Sequence, residues 1–161
     1  MKLIYVAGKF SPTKQEIEAF SVPHSIANPK RWLDFRLVPI IQRNIDNAVH
    51  ASALLDIAGE GRYFAVCPHC HSAPIWRKMQ ELGHETTLDA HKANGEFWYD
   101  GDLKMLEGCH AIVMLPGWEE SKGAERERRY ALADFKEYGE FRELTLAEAQ
   151  RIVRDLDGVF K

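Results

Sequence analysis

The sequence predicts an α/β protein: a single domain, residues 1–161, built on one open parallel sheet with helices on both faces, Rossmann-like or flavodoxin-like. Two observations carry this. Short apolar segments rich in β-branched residues recur along the chain, each stopped by a glycine or proline. Between them run longer stretches whose apolar residues return at three- and four-residue steps, the period of a helix. Strands alternating with helices pack as a parallel sheet covered on both sides. Ligands of such sheets sit beyond the carboxyl ends of the strands, where the strand order reverses.

Lys2 to Ala7 reads as the first strand, continuously apolar as a doubly covered strand is, and closed by Gly8. Residues 9–36 hold Pro12, Pro23 and Pro29 and read as a long binding or lid-like loop. From Leu37 to Ala58 the spacing is helical, through Ile41, Ile45, Ala48, Val49, Ala51, Ser52 and Leu55, with Gly59 at its end. Arg62 to Cys67 is the second strand, stopped by Pro68. Residues 72–95 mix polar turns with a short helix over Ile75 to Leu82, and Phe97 to Leu106 is helical. Cys109 to Leu115 is the third strand, ended by Pro116-Gly117. Ser121 then caps a helix expected to run to about Tyr138 and to stop at Gly139. Phe141 to Leu144 is expected as a fourth strand. Thr145 with Glu148 forms a capping-box pattern opening a last helix, with Ala149, Ile152, Val153 and Leu156 on one face.

The chain of 161 residues suits one domain, and its 45% hydrophobic and 28% charged residues suit a globular core. A formal net charge of −3 gives no field that would gather nucleic acid. No run reaches the ~20 apolar residues of a membrane helix. The N-terminus is too short and strand-like for a signal peptide. Three cysteines do not make a disulfide framework, so a reducing cytoplasm is expected.

One carboxylate stands out. The stripe Ala124, Ala131, Leu132 and Phe135 marks the inward face of the helix after the third strand, and Glu127 shares it. A carboxylate turned inward near a ligand loop is a candidate functional group, because burying it alone is costly. The alternative is a solvated first turn that favours acids through the helix dipole. Glu125 and Arg129 fall elsewhere and can pair across one turn. Gly123 lets a ligand approach the backbone, and Ser121 with the helix-start N–H groups makes an oxygen- or phosphate-binding corner, or a plain cap.

Three segments, in order, resemble the nucleoside 2-deoxyribosyltransferase superfamily. Ile4-Tyr5-Val6-Ala7-Gly8-Lys9-Phe10 is similar to its opening strand and glycine turn; Tyr99-Asp100-Gly101-Asp102-Leu103 with Leu106 and the strand Ala111 to Leu115 to its second motif; Ser121-x-Gly123-x-x-x-Glu127-x-x-x-Ala131 to its third. The resemblance implies Glu127 as nucleophile, Asp102 as the group contacting the base and assisting its departure, and Tyr5 as the tyrosine that holds the glutamate. It implies a phosphate role for Ser121, since relatives that cleave nucleoside 5′-monophosphates carry serine there. It implies a homodimer or larger assembly. His110 stands where many members carry aspartate, and segments 11–36 and 71–96 have no counterpart.

The chemistry implied is attack on C1′ of a nucleoside or nucleotide through an oxocarbenium-like state, with the base departing to water or to an acceptor base. No cofactor is required. Tyr5 would orient Glu127 and keep it ionised. Phe10, Trp98 and Trp118 are candidates to stack on a base, and Lys9 and Arg126 to meet a phosphate, with Gly8 shaping the turn. Cys67-Pro68-His69-Cys70-His71 invites a zinc reading, but a second ligand pair is not evident, since Cys109 and His110 are adjacent in a strand. Two other readings stay open. One is a non-catalytic nucleotide-binding domain on this fold. The other is a lysine-decarboxylase-like nucleotide phosphoribohydrolase, whose Pro-Gly-Gly-x-Gly-Thr-x-x-Glu is only partly matched by Pro116-Gly117-Trp118-Glu119-Glu120-Ser121-Lys122-Gly123-Ala124-Glu125.

Overall fold

A computed structural model describes residues 1–12, 15–16, 38–82, 88–134 and 136–160. The elements run β1 (Lys2–Ala7), α1 (Val38–Gly59), β2 (Tyr63–Val66), α2 (Pro68–Glu81), α3 (Leu88–Glu107), β3 (Ala111–Met114), α4 (Lys122–Ala133), β4 (Glu137–Glu140) and α5 (Leu146–Val159), with a 3₁₀ turn at Trp118–Glu120 before α4. The expected α/β fold is present: the described residues form one open, wholly parallel sheet of order β2-β1-β3-β4, flanked by five helices. This is the flavodoxin-like strand sequence, and the order reverses between β1 and β3. Among the described residues no helix is long and apolar enough to cross a membrane.

The centre of the sheet is β1, where Ile4 lies between Ala65 and Ala111, and Tyr5 between Val66 and Ile112. Alternate residues point to opposite faces. Ile4 and Val6 join Ala111 and Val113 against Ala51 and Leu55 of α1 and Ile152 and Leu156 of α5. Tyr5 and Ala7 join Ile112 and Met114 against Leu106 of α3 and Ala124 and Ala131 of α4. Both faces are covered, which explains the unbroken apolar run in β1. His110 tightens the amino end of the sheet: its backbone N–H donates to the Leu3 carbonyl at 2.8 Å, and its ring Nδ1 accepts from the Leu3 N–H at 3.1 Å. This position is at the opposite end of the strands from the ligand edge.

Several expected boundaries move. α2 is continuous from Pro68, where a proline at the first helical position loses no bond, rather than a short helix from Ile75. α3 begins at Leu88 rather than Phe97. α4 ends at Ala133, not Tyr138, and the fourth strand is Glu137–Glu140, not Phe141 to Leu144. The reason lies in Gly139. A Cβ there would come within 2.9 Å of Ile152 Cγ2 and 3.2 Å of Val113 Cγ2. The glycine lets α5 approach the edge strand; it does not stop a helix. The buried Lys136 fixes the turn before β4 by donating to the carbonyls of Glu107 at 3.1 Å and Cys109 at 2.8 Å.

Leu132 and Val49, expected on buried stripes, are 41% and 47% exposed. Each follows a buried alanine directly, and one residue turns the helix by about 100°. At α5 the Thr145 hydroxyl accepts from the Glu148 N–H at 3.3 Å, but Glu148 accepts from Arg142 N–H at 3.4 Å instead of returning the bond to Thr145, so only half a capping box forms. Most of the loop expected over 9–36 lies outside the described residues, as do His84 and Phe135.

Gly139→Val places two methyls and a Cβ in filled space. It is expected to destabilise the fold by about 1–3 kcal/mol, read as a lower urea midpoint at unchanged slope.

Candidate functional site

Two elements meet behind the carboxyl end of β1. Tyr5 points from β1 toward α4, and its hydroxyl donates to Glu127 Oε1 at 2.9 Å, wholly inside the protein. Glu127 is 6% exposed and Tyr5 0%. The inward position of Glu127 follows from its spacing: Ala124 and Ala131, one turn to either side, are buried beside it. Glu125 instead faces solvent and pairs with Arg129 at 3.8 Å.

Asp102 completes a three-residue group from α3. Burial raises its pKa to about 6, and its charge acts on both Tyr5 and Glu127. Glu127 is raised to about 8, first by burial; the Tyr5 hydrogen bond pulls it down and the Asp102 charge pushes it up. Burial, then Glu127 and Asp102, push the Tyr5 phenol far above its usual range, so it remains a proton donor. The bond from Tyr5 therefore orients Glu127 and favours its charged form, but does not outweigh desolvation.

Gly123 and Tyr99 define the next layer. A Cβ on Gly123 would lie 2.9 Å from Tyr99 Cε1, so α3 and α4 close on each other here only because this residue is glycine. Tyr99 stands one turn before Asp102, its pKa is raised by burial and then by Glu127, and Arg126 lies 5.4 Å over its ring. Its place could have been found from the three-residue step to Asp102. Arg126 also sits 3.8 Å from Asp100.

The other expected site residues disperse. Ser121 caps α4, its hydroxyl accepting from Ala124 N–H at 3.3 Å. Trp118 is held on the β4 side: its indole N–H donates to Glu140 at 3.3 Å, and Arg128 lies 5.0 Å over its ring and 5.2 Å over that of Tyr138. Trp98 is half-buried on α3. Phe10 turns toward α1 and α2, where it packs on Ile41, Ile45 and Ala73, with its ring 5.5 Å from His69. Lys9 pairs with Glu16 at 3.4 Å and Glu120 at 3.2 Å. Gly8 lies against Leu115.

Lys9, Arg43, Asn44, Asn47 and the Leu115–Pro116 turn line a cleft of about 210 Å³ at the strand-order reversal. It opens on the α1 side of the sheet, whereas Glu127 lies on the α4 side. Asn44, buried, donates to the Phe10 carbonyl at 3.1 Å and so anchors the β1 loop. Asn44 is not among the site residues expected from the sequence, because a single amide in a helix carries no periodic signal. Among the described residues no cluster of three or more His, Cys, Asp or Glu side chains is arranged to hold a metal.

Residues 76–137, less than half of the chain, match the model of a domain of unknown function (DUF4406). The match takes in Asp102, Ser121, Gly123 and Glu127 and leaves out Tyr5. No curated protein and no solved structure matches the chain.

Both buried carboxyls have raised pKa values, so the folded protein keeps protons that the unfolded chain has released. Their contribution to stability is complete below the ordinary carboxyl range and is lost as pH rises, for Glu127 from 4.5 toward about 8. Glu127→Gln keeps an acceptor for Tyr5 and removes this loss. The variant should exceed wild type above about pH 8 by at least ~1.4 kcal/mol, the worth of one pKa unit, with the two converging near about pH 4.5. Urea midpoints across that range measure it.

Proposed function

We propose that the protein cleaves or transfers at the N-glycosidic bond of a nucleoside or nucleoside 5′-monophosphate, with Glu127 as nucleophile. The observation that carries this reading is the buried Tyr5–Glu127 hydrogen bond with Asp102 alongside, at the carboxyl end of the central strand. A carboxylate held by one donor in an apolar surround is poorly solvated and well aimed. A positive charge developing at C1′ supplies the partner that it lacks, and draws its pKa down at the moment of need.

In the step proposed, Glu127 Oε2 or Oε1 attacks C1′ as the C1′–N bond breaks and the electron pair leaves with the base. Asp102 hydrogen-bonds the departing base and gives it a proton when itself protonated. Water or an acceptor base then takes the sugar from Glu127. Tyr5 holds the carboxylate in line throughout. Ser121 and the start of α4 are assigned to a 5′-phosphate. Trp98 and Tyr99, on the same helix as Asp102, are assigned to the base. The superfamily resemblance further suggests a homodimer or larger assembly, which the mass of the native particle tests.

A second reading is binding without turnover. The burial of Glu127 favours it, since desolvation holds this carboxyl toward the neutral form, which is not a nucleophile.

The deciding assay offers deoxy- and ribonucleosides and their 5′-monophosphates, with and without a second free base, and separates the products by chromatography. Free base from a monophosphate marks a hydrolase; a new nucleoside formed only with acceptor marks a transferase. Glu127→Ala should lower either rate by about 10⁴-fold or more, and Asp102→Asn by about 10²–10⁴-fold. Equal rates in wild type and Glu127→Ala would sink the mechanism, and saturable binding with no product would establish the second reading.

If Glu127 acts as the carboxylate, kcat/KM rises with pH toward about 8. Tyr5→Phe removes the one interaction that lowers the Glu127 pKa, so its rising limb should move to higher pH with reduced kcat. A rate falling through the same window would contradict an ionised nucleophile.

A further inference from the structure

Cys67 and Cys70 lie outside the proposed reaction, and their placement is specific. Cys67 follows β2 and occupies the cap position of α2, a helix of 14 residues; Cys70 is that helix's third residue. The turn is closed by the Cys70 N–H donating to the Cys67 carbonyl at 3.1 Å. Cys67 is half-buried and Cys70 exposed. His69, between them, is buried and packs on Phe10.

We propose that Cys67 and Cys70 are a reversible dithiol–disulfide pair that exchanges with low-molecular-weight disulfides, Cys70 being the attacking and Cys67 the resolving sulfur. The backbone bond closes Cys67 and Cys70 into one four-residue turn, which brings their α-carbons within reach of a disulfide, so little backbone movement is needed to join them. Among the described residues no third or fourth ligand stands near enough to make the pair a metal site.

The exchange balances in two steps. The exposed Cys70 thiolate attacks one sulfur of the incoming disulfide, whose S–S bond breaks and releases one thiolate. Cys67 then gives up its proton to solvent and attacks Cys70 Sγ, expelling the second thiolate. Two protein thiols are oxidised by two electrons and one small disulfide is reduced to two thiols. The Cys67 thiol is pushed up to about 12 by burial and then by Cys70 itself. That suits a sulfur that waits, because the Cys70 contribution ends once Cys70 is in a mixed disulfide.

The test equilibrates the full chain with stepped ratios of reduced and oxidised glutathione, quenches in acid, alkylates after denaturation and weighs the products. The expected result is that two of the three thiols disappear together, with no glutathione retained and a peptide link between residues 67 and 70, fully reversed by reductant. Cys67→Ser should instead hold one glutathione on Cys70, and Cys70→Ser should form no disulfide. Three alkylatable thiols at every ratio, or a wild type that retains glutathione on Cys70, would overturn the proposal. So would one equivalent of zinc bound to the reduced protein and shielding both thiols, which would assign the pair to a metal.

Discussion

A carboxyl group and a phenol share one hydrogen bond in the middle of this protein, and much of the surrounding architecture serves to keep it there. Tyr5 comes from the central strand and Glu127 from the helix that covers it, so the bond ties sheet to helix at full burial. Its surround is apolar: Tyr5 packs with Ala7, Ile112, Met114, Ala124 and Ala131, and Glu127 is buried beside them. A lone buried carboxylate in that setting is costly. The second carboxyl, on Asp102, adds repulsion rather than relief. Such an arrangement weakens the fold, and under the function proposed above it prepares the site for a ligand that brings positive charge or donors of its own.

The sheet order explains why the site has two sides. With β1 and β3 adjacent, the loops that leave them diverge over opposite faces. The Glu127 group lies under α3 and α4, while the cleft with Lys9, Arg43, Asn44 and Asn47 lies toward α1. The Gly8 loop separates the two and is anchored on the α1 side through Asn44 and Phe10. A ligand large enough to touch both sides must cross this loop, so the packing of Phe10 bears on the site even though its ring faces away from Glu127.

The fold class and the central group were legible in the sequence because both depend on local period. Three apolar strands announced the parallel sheet, and the three- and four-residue steps around Glu127 announced its inward face. The resemblance supplied Tyr5 and Asp102, which periodicity alone does not single out. What local reading missed depends on contacts distant in sequence. Gly139 looks like a helix stop until Ile152 and Val113 are seen against it. Phe10 and Trp118 look like stacking platforms until His69 and Arg128 claim their faces. Tyr99 stands one turn before Asp102 in sequence, but its packing against Gly123 of another helix shows only in the fold.

The central position of β1 also sets an order on the making of the protein. β1 is made before either of its neighbours, residues 63–66 on one edge and 111–114 on the other. Until β3 has been made, it is an apolar strand with at most one partner. The carboxylate that receives the Tyr5 hydroxyl is made later still. Long-range parallel pairing of this kind is slow and exposes sticky edges. The sheet therefore closes around β1 only after residues 111–114 have been made, and the Tyr5 hydroxyl finds its acceptor only after residue 127.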